Sequence, residues 1–266
     1  MKKLLNKLFL MLVLMLASVN AQSENEGKTG MAFLKVGVGA RAAGMGEAFT
    51  AVASDAYATY WNPAGLLAAT NSNLGFMHNS WFESINSEFG ALQFKSKQSS
   101  IALHVYSFNV GDIQVRTIPS EDPLEETSAH YISAGVSYAR SFSDHLGLGI
   151  TLKYLYEKIF VYSAGGIGVD LGFRYTGLTD NVVVAGAIQN LGKMGEFQSE
   201  STELPKIVRL GGQYKVPGTI GPVTLLLAGD VVKPLEENAR IHLGTEFKVW
   251  SQLILRSGYA AGYEAR

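Results

Sequence analysis

The stretch HLGLGITLKYLYE, residues 145–157, decides the fold because its side chains alternate in polarity. Successive side chains of a β-strand point to opposite faces, so this alternation predicts a strand with one apolar and one polar face. The apolar face comprises Leu146, Leu148, Ile150, Leu152, Tyr154 and Tyr156. The opposite face comprises His145, Gly147, Gly149, Thr151, Lys153, Leu155 and Glu157, of which only Leu155 is apolar.

The same alternation recurs along the chain from residue 73 onward. In GIGVDLGFRY, residues 166–175, and in RIHLGTEFKV, residues 240–249, an apolar face again opposes glycine and charge. A soluble β-sandwich would also alternate. However, glycine-rich polar faces suit a crowded barrel interior, and tyrosines near the segment ends suit an interfacial aromatic girdle. These features favour a transmembrane antiparallel β-barrel, an all-β fold, over residues 73–266.

The connections between the predicted strands alternate in length, as in outer-membrane barrels with long extracellular loops and short periplasmic turns. The first long connection follows the first strand, so the N-terminal region is expected on the periplasmic side or in the lumen. The long loops are acidic, which we interpret as solvated charge. Long connections are predicted near 80–87, 109–127, 157–165, 191–205 and 233–239, and short ones near 96–99, 141–145, 176–181, 216–222 and 250–251.

Residues 1–21, MKKLLNKLFLMLVLMLASVNA, have the layout of a secretory signal peptide: lysines, an apolar run, then small residues. The run is shorter than the roughly 20 apolar residues that span a bilayer. A buried N-terminal core helix would not explain the lysines. We therefore expect an exported chain. Only helices and closed barrels satisfy every backbone polar group in lipid, so the predicted location is the cell outer membrane, with its lipid as one partner.

Composition argues against several classes of function. The net charge is −1, so there is no basic surplus to neutralise the phosphates of a nucleic acid. The chain has no cysteine, which excludes disulfides and thiolate metal sites. The five histidines lack the close spacing of a metal-binding pair, and no GxSxG nucleophile elbow occurs. We predict no enzymatic activity, no catalytic residue, no cofactor and no metal.

In the segment before the first strand, residues 30–69 are not strand-like. Asp55 is placed to cap a short helix, and Asn62-Pro63 is expected to end it. GVGARA at 37–42 weakly mimics a dinucleotide fingerprint, but its third glycine is missing and no βαβ unit follows, so no nucleotide site is expected. Four apolar residues at helical spacing predict another short helix: Ala42, Met45, Phe49 and Val52.

The stretch GARAAGMGEAFTAVASDAYATYWNPAGL, residues 39–66, resembles the N-terminal signature of FadL-like outer-membrane proteins, most closely the PorV/PorQ family. The resemblance implies a barrel of about fourteen strands, with residues 22–72 folded into its lumen as a plug, or hatch. We count about eleven strands up to Tyr263, an odd number, and therefore expect the last strands to be missing from this sequence. The hatch motif consists of Gly39, Arg41, Gly44, Met45, Gly46, Asp55, Asn62, Pro63 and Gly65.

Glycines in the hatch are expected to let its backbone approach the barrel wall closely. The four glycines concerned are Gly37, Gly39, Gly44 and Gly46. We expect Arg41 and Asp55 to pair with lumenal charges. The partners considered are Lys153, Glu157, Asp170 and Arg174, and a strand pair such as Asp170 with Arg174 is expected to be structural.

Two functions remain open. Resemblance to PorV implies a component of type IX secretion that receives secreted proteins carrying a C-terminal signal domain and passes them to other components. Residues 119–127 and 195–204 would then contact partners. Resemblance to FadL implies a transporter of hydrophobic small molecules. An apolar tunnel would favour transport, whereas a sealed lumen with apolar loop tips would favour partner binding. The hydrophobic ligand site would comprise Phe33, Leu34, Met45, Phe49 and Trp61.

Overall fold

The computed structural model describes residues 29–116, 123–197, 200–218, 223–250 and 252–263. The predicted signal peptide lies outside these residues. The strands are β1 (Asn73–Ser80), β2 (Ile85–Lys95), β3 (Ser99–Val115), β4 (Glu125–Ser141), β5 (Leu146–Ile159), β6 (Tyr162–Thr179), β7 (Val182–Met194), β8 (Glu196–Phe197), β9 (Glu200–Ser201), β10 (Ile207–Lys215), β11 (Thr224–Pro234), β12 (Arg240–Lys248) and β13 (Ile254–Ala261).

Eleven of these strands form one antiparallel sheet in which each strand pairs with its neighbour in the chain. The order runs from β1 to β7 and then from β10 to β13, while β8 and β9 form a separate small hairpin between them. The predicted antiparallel all-β architecture and the count of eleven strands are confirmed for the described residues. The separate hairpin was not predicted.

The two faces of the sheet differ as the alternation predicts. On β5, Leu152 and Tyr154 are 56% and 57% exposed, whereas Thr151 and Lys153 are 0% and 6% exposed. The same division holds on β6, where Ile167 points outward and Asp170 inward. The outward rows are apolar and face the hydrocarbon of the outer membrane.

Residues 29–72 lie against the inner face of the sheet, and the hydrophobic core forms where they meet it. Among the described residues, no helix is both long and apolar enough to cross a membrane. This segment, the hatch, contains the 3-10 helices η1 (Ala32–Lys35) and η2 (Pro63–Ala68) and the α-helices α1 (Ala40–Gly44) and α2 (Ala58–Trp61).

The predicted helix from Ala42 to Val52 is wrong in length. Helix α1 ends at Gly44 because Gly46 and Glu47 both adopt left-handed backbone conformations, with φ of 59° and 63°. These angles reverse the chain and are incompatible with a continuing helix. The four apolar residues behind the prediction are all buried: Ala42, Met45, Phe49 and Val52.

The predicted break at Asn62-Pro63 is confirmed. Helix α2 ends at Trp61, and Asn62 is extended, with φ of −165°. The Asn62 side chain then accepts a hydrogen bond from the Ala64 N–H at 3.1 Å, which starts η2 behind Pro63. Just before α2, the Asp55 carboxylate accepts a hydrogen bond from the Tyr57 N–H at 3.0 Å.

The predicted alternation of connection lengths fails at several places, and the connections 235–239 and 249–253 are equally long. Between β5 and β6 the connection near 157–165 is only the turn 160–161, because the two strands pair up to Ile159 and Tyr162. The connection expected to be short near 216–222 occupies residues 216–223. We call the end of the sheet with connections 81–84, 116–124, 160–161, 195–206 and 235–239 the mouth.

The hatch runs from the mouth to the opposite end of the sheet. Thr29 bridges to Glu203, and the Gly30 N–H donates to the Glu203 carbonyl at 3.1 Å. At the far end, Asn73 begins β1 and its side chain bonds to Gln93 at 3.0 Å. The N-terminal region therefore lies in the lumen, and its first described residues reach the mouth.

Candidate functional site

The five residues predicted to bind a hydrophobic ligand are all buried and belong to one hydrophobic core cluster. Phe33 packs against Tyr106 and Tyr131 of the wall, with ring centroids 5.2 and 5.6 Å apart. Phe49 and Trp61 meet edge to face at 5.8 Å. Leu34 and Met45 are also buried. Ligand binding by these residues stays a prediction.

Three of the four hatch glycines lie against the wall as predicted. Gly44 faces Arg256, and Gly46 faces the backbone of Gly258, both on β13. The Gly39 N–H donates to Met77 Sδ on β1 at 3.1 Å. The prediction is wrong for Gly37, because its close neighbours belong to the hatch itself.

The wall contributes glycines of its own. Added Cβ atoms on Gly149 and Gly172 would overlap Pro63 and Asn62, so these glycines make room for the start of η2. Within the hatch, Gly65 has the same role, since its Cβ would overlap the carbonyl oxygen of Ala53. Side-chain volume is therefore removed from the wall where it meets the hatch, and at Gly65 between two parts of the hatch.

Arg41 pairs with a residue that the sequence did not suggest. Its Nε and Nη2 atoms donate to the two carboxylate oxygens of Glu246 on β12, at 2.8 and 3.1 Å. Arg256 on β13 donates to the same carboxylate at 2.7 Å. Arg41 therefore pairs with a lumenal charge as predicted, but with none of the four residues considered, because these lie on β5 and β6, whereas α1 packs against β13.

Asp55 makes no ion pair among the described residues. Burial raises the pKa of its carboxyl group, and the Tyr57 N–H and the Arg41 charge partly oppose that shift. The expected pairing of Asp55 with a lumenal charge is therefore wrong.

Asp170 pairs with Lys153, not with Arg174. The two charged atoms are 2.8 Å apart, and both side chains are buried. Asp170 also accepts the Asn190 N–H at 2.7 Å, while Lys153 donates to the Asn190 side chain. Arg174 is four residues further along β6, roughly 13 Å away, and cannot reach Asp170 through the strand.

A cavity of about 10 Å³ lies beside this buried network. That volume suits a single water molecule. Of the predicted ligand residues, Leu34 alone lines it. The lining residues are Leu34, Thr59, Tyr60, His104, Tyr106, Ser133, Lys153, Asp170, Gln189 and Asn190.

Ionic contacts tie the hatch to a loop at the mouth. Glu237, between β11 and β12, pairs with Lys35 at the end of η1 and with Arg240. Burial raises the pKa of Glu237, but the hydrogen bond from Lys35 and the charges of Lys35 and Arg240 outweigh burial. The net pKa therefore lies below the usual 4.5.

The pKa of Glu47 in the hatch is shifted in the opposite direction from that of Glu237. Burial raises the pKa of its carboxyl group above the usual 4.5, although the charges of Arg209 and Arg240 and the Gly37 N–H oppose this. Glu47 and Glu237 thus respond oppositely to pH.

The mouth carries exposed apolar side chains at the tips of several hairpins. The two most exposed are Phe82, at 74%, and Leu124, at 72%. Part of the predicted contact loop 119–127 and residues 198–199 of the loop 195–204 lie outside the described residues. Sequence reasoning missed the other tips, although the apolar pair Trp81-Phe82 lies between the polar residues Ser80 and Glu83. The exposed set is Trp81, Phe82, Leu124, Phe160, Val161, Tyr162 and Leu235.

Comparisons with known proteins agree on the architecture. The family model for the type IX secretion system protein PorV matches residues 19–175. No curated protein matches the chain by sequence.

Several solved structures share the fold. The toluene transporter TbuX of Ralstonia pickettii is 12% identical, with a TM-score of 0.60 over 85% of this chain and 86% of that chain. The monoaromatic hydrocarbon channel CymD is 13% identical, with a TM-score of 0.62 over 86% and 85%. The toluene transporter TodX of Pseudomonas putida is 13% identical, with a TM-score of 0.55 over 84% and 83%. At these identities the likeness concerns the fold alone.

Proposed function

We propose that this chain, which belongs to the PorV family of type IX secretion system proteins, is a plugged outer-membrane platform that binds secreted proteins at the cell surface. It would hold or hand over cargo by protein–protein recognition, without catalysis. Secreted proteins that carry a C-terminal signal domain, and other secretion components, are the proposed partners.

One observation carries this proposal: a filled lumen lies beneath a mouth with apolar tips. The hatch occupies the inner face of the sheet, and the cavity beside it is about 10 Å³. Meanwhile Phe82 and Val161 at the mouth are 74% and 66% exposed. Contiguous apolar patches on a protein surface mark interaction sites.

Transport of a hydrophobic small molecule is the second candidate. It is favoured by the fold shared with channels described as toluene transporters and monoaromatic hydrocarbon channels. The site would comprise Phe33, Leu34, Met45, Phe49 and Trp61. However, a protein cavity that holds benzene measures about 150 Å³, so transport through the cavity of about 10 Å³ beside Lys153 and Asp170 would require the hatch to move.

We further propose three segments: a signal peptide at 1–21, a hatch at 22–72 and the outer-membrane barrel at 73–266. The hatch motif from Gly39 to Gly65 would then act by sealing the barrel. Its glycines and its Asn62-Pro63 break support that role through their contacts with the wall.

The deciding experiment purifies the tagged full chain from native outer membranes, with an unrelated tagged barrel as control. We expect secreted proteins that share a C-terminal domain to copurify with the chain and not with the control. Recovery of bound hydrophobic compounds without any protein partner, together with toluene uptake by proteoliposomes, would favour transport and refute the proposal.

A further inference from the structure

We infer that described apolar residues at the mouth ends of three neighbouring hairpins form one docking surface for a protein face that combines apolar side chains with lysine or arginine. This inference rests on the proposed function and specifies where the partner binds and what chemistry it presents. The surface, which we call the apolar rim, consists of Trp81, Phe82, Leu124, Phe160 and Val161.

The apolar rim is separated from the lipid-facing rows by polar side chains. On β6 the outward apolar row ends at Ile167, and Ser163 follows before the tip at Val161. The six residues of chain from Val161 to Ile167 span roughly 20 Å, which corresponds to about 15 Å along the axis of a tilted barrel. Similar polar residues interrupt the neighbouring strands, so the tips stand clear of the hydrocarbon. This polar belt contains His78, Glu88, Asn109, His130, Lys158 and Ser163.

Hydrogen bonds join the three hairpins side by side. The Gly111 N–H on β3 donates to the Ser84 carbonyl at 3.2 Å, and the Ser84 hydroxyl donates to Asp112. The Phe160 N–H donates to the Ser128 carbonyl on β4 at 3.4 Å. These bonds fix the β1–β2 and β5–β6 turns relative to the mouth ends of β3 and β4.

The backbone of the rim is held in strained conformations. Phe160 has φ of 55°, a left-handed angle that a bulky residue rarely adopts. Glu83, Ser84 and Asp112 also have positive φ, between 51° and 55°. Strain of this kind persists where the surrounding structure imposes it, and it clusters at functional sites. A surface that is already ordered loses less entropy when a partner binds.

The charges around the rim indicate the partner's chemistry. Among the described residues of the three tips, the exposed acids are Glu83, Asp112, Glu125 and Glu126, and the exposed bases are Arg116 and Lys158. The acids therefore exceed the bases by four to two. A partner with lysine or arginine around an apolar centre would complement this surface.

The test measures binding of a purified C-terminal signal domain to the full chain in lipid nanodiscs. The variant combines Phe160→Asn with Val161→Thr, since asparagine tolerates a positive φ and the hairpin can keep its shape. The control is Leu235→Asn at the β11–β12 tip, which is 52% exposed but lies outside the rim. We expect the rim variant to bind about tenfold more weakly or worse, and the control to bind like the parent.

Further measurements separate the possible outcomes. Equal binding by parent and rim variant would overturn the inference while leaving the proposed function intact, whereas no binding by the parent would overturn both. Glu125→Lys with Glu126→Lys should also weaken binding, and unchanged affinity would refute the basic partner. Both variants must retain the heat-dependent gel mobility of a folded barrel.

Tryptophan fluorescence tests whether the rim is immersed in lipid. The Trp250→Phe substitution leaves Trp81 as the exposed tryptophan, because Trp61 is fully buried. We expect Trp81 fluorescence to be quenched by acrylamide but not by lipids brominated in their tails. Quenching by the brominated lipids would place the rim in the membrane and overturn the inference.

Discussion

Gly258 on β13 and Gly46 in the hatch lie so close that a Cβ atom on Gly258 would overlap the backbone of Gly46. Gly46 also has φ of 59°, which glycine adopts without steric cost. The hatch therefore meets the wall backbone to backbone at this point, and the seal depends on the absence of side chains.

Gly258→Ala should loosen this contact. The added methyl group has no space, so we expect a loss of about 1–3 kcal/mol in stability, as for other overpacked sites. Gly90→Ala is the matched control, because nothing lies within 4 Å of its added Cβ. Thermal unfolding and protease cleavage of the hatch measure both variants, and equal behaviour would contradict the close contact.

Glu246→Gln should release α1 from the wall. The substitution leaves Arg41 and Arg256 without a counter-charge in a partly buried site, where their side chains are 29% and 26% exposed. We expect a loss of about 1–3 kcal/mol in the free energy of unfolding. Glu203→Gln removes an exposed pair with Lys206 and should cost under about 0.5 kcal/mol. Similar losses of stability in the Glu246→Gln and Glu203→Gln variants would show that the contact between Arg41 and Glu246 contributes little.

Lys153→Met should be more damaging, because it leaves the Asp170 carboxylate buried without its cation. Removing one member of a buried pair costs about 3–5 kcal/mol. The double variant Lys153→Met with Asp170→Asn should recover part of that loss, since asparagine can still accept the Asn190 N–H. If the double variant is less stable than the single one in urea unfolding, the ion pair does not account for the effect.

Glu47→Gln should stabilise the hatch at neutral pH. The folded-state pKa of Glu47 is raised, so the protein is destabilised as pH rises from 4.5 through that pKa and the buried group becomes charged. The gain from glutamine should vanish below pH 4.5, where the parent is already protonated. Protease cleavage of the hatch across pH tests this, and a gain that does not change with pH would exclude ionisation as its cause.

Glu237→Gln should have the opposite pH profile. The folded-state pKa of Glu237 is lowered, so its stabilising contribution is complete above 4.5 and is lost as pH falls through the lowered value. We expect faster cleavage near η1 in the variant at neutral pH, with the difference from the parent disappearing in acid. Glu236→Gln is the matched control, and an equal effect there would rule out the contact with Lys35.

Several features could be predicted from the sequence because they depend on local periodicity. A strand has a side-chain period of two, so the apolar row through Leu152 and Ile167 can face only one side of the sheet. The break at Asn62-Pro63 is similarly local, since proline restricts the residue before it. These patterns determined the all-β fold, the lipid-facing rows and the end of α2.

Tertiary structure alone decided which lumenal charges meet. Arg41 binds Glu246, about two hundred residues away in sequence, because α1 packs against β13. Asp170 binds Lys153 because the register of β5 and β6 places them diagonally across the pair. Sequence periodicity determines which face of a strand a side chain occupies. Its partner depends on how the strands align and how the hatch is oriented, and both follow from packing between distant parts of the chain.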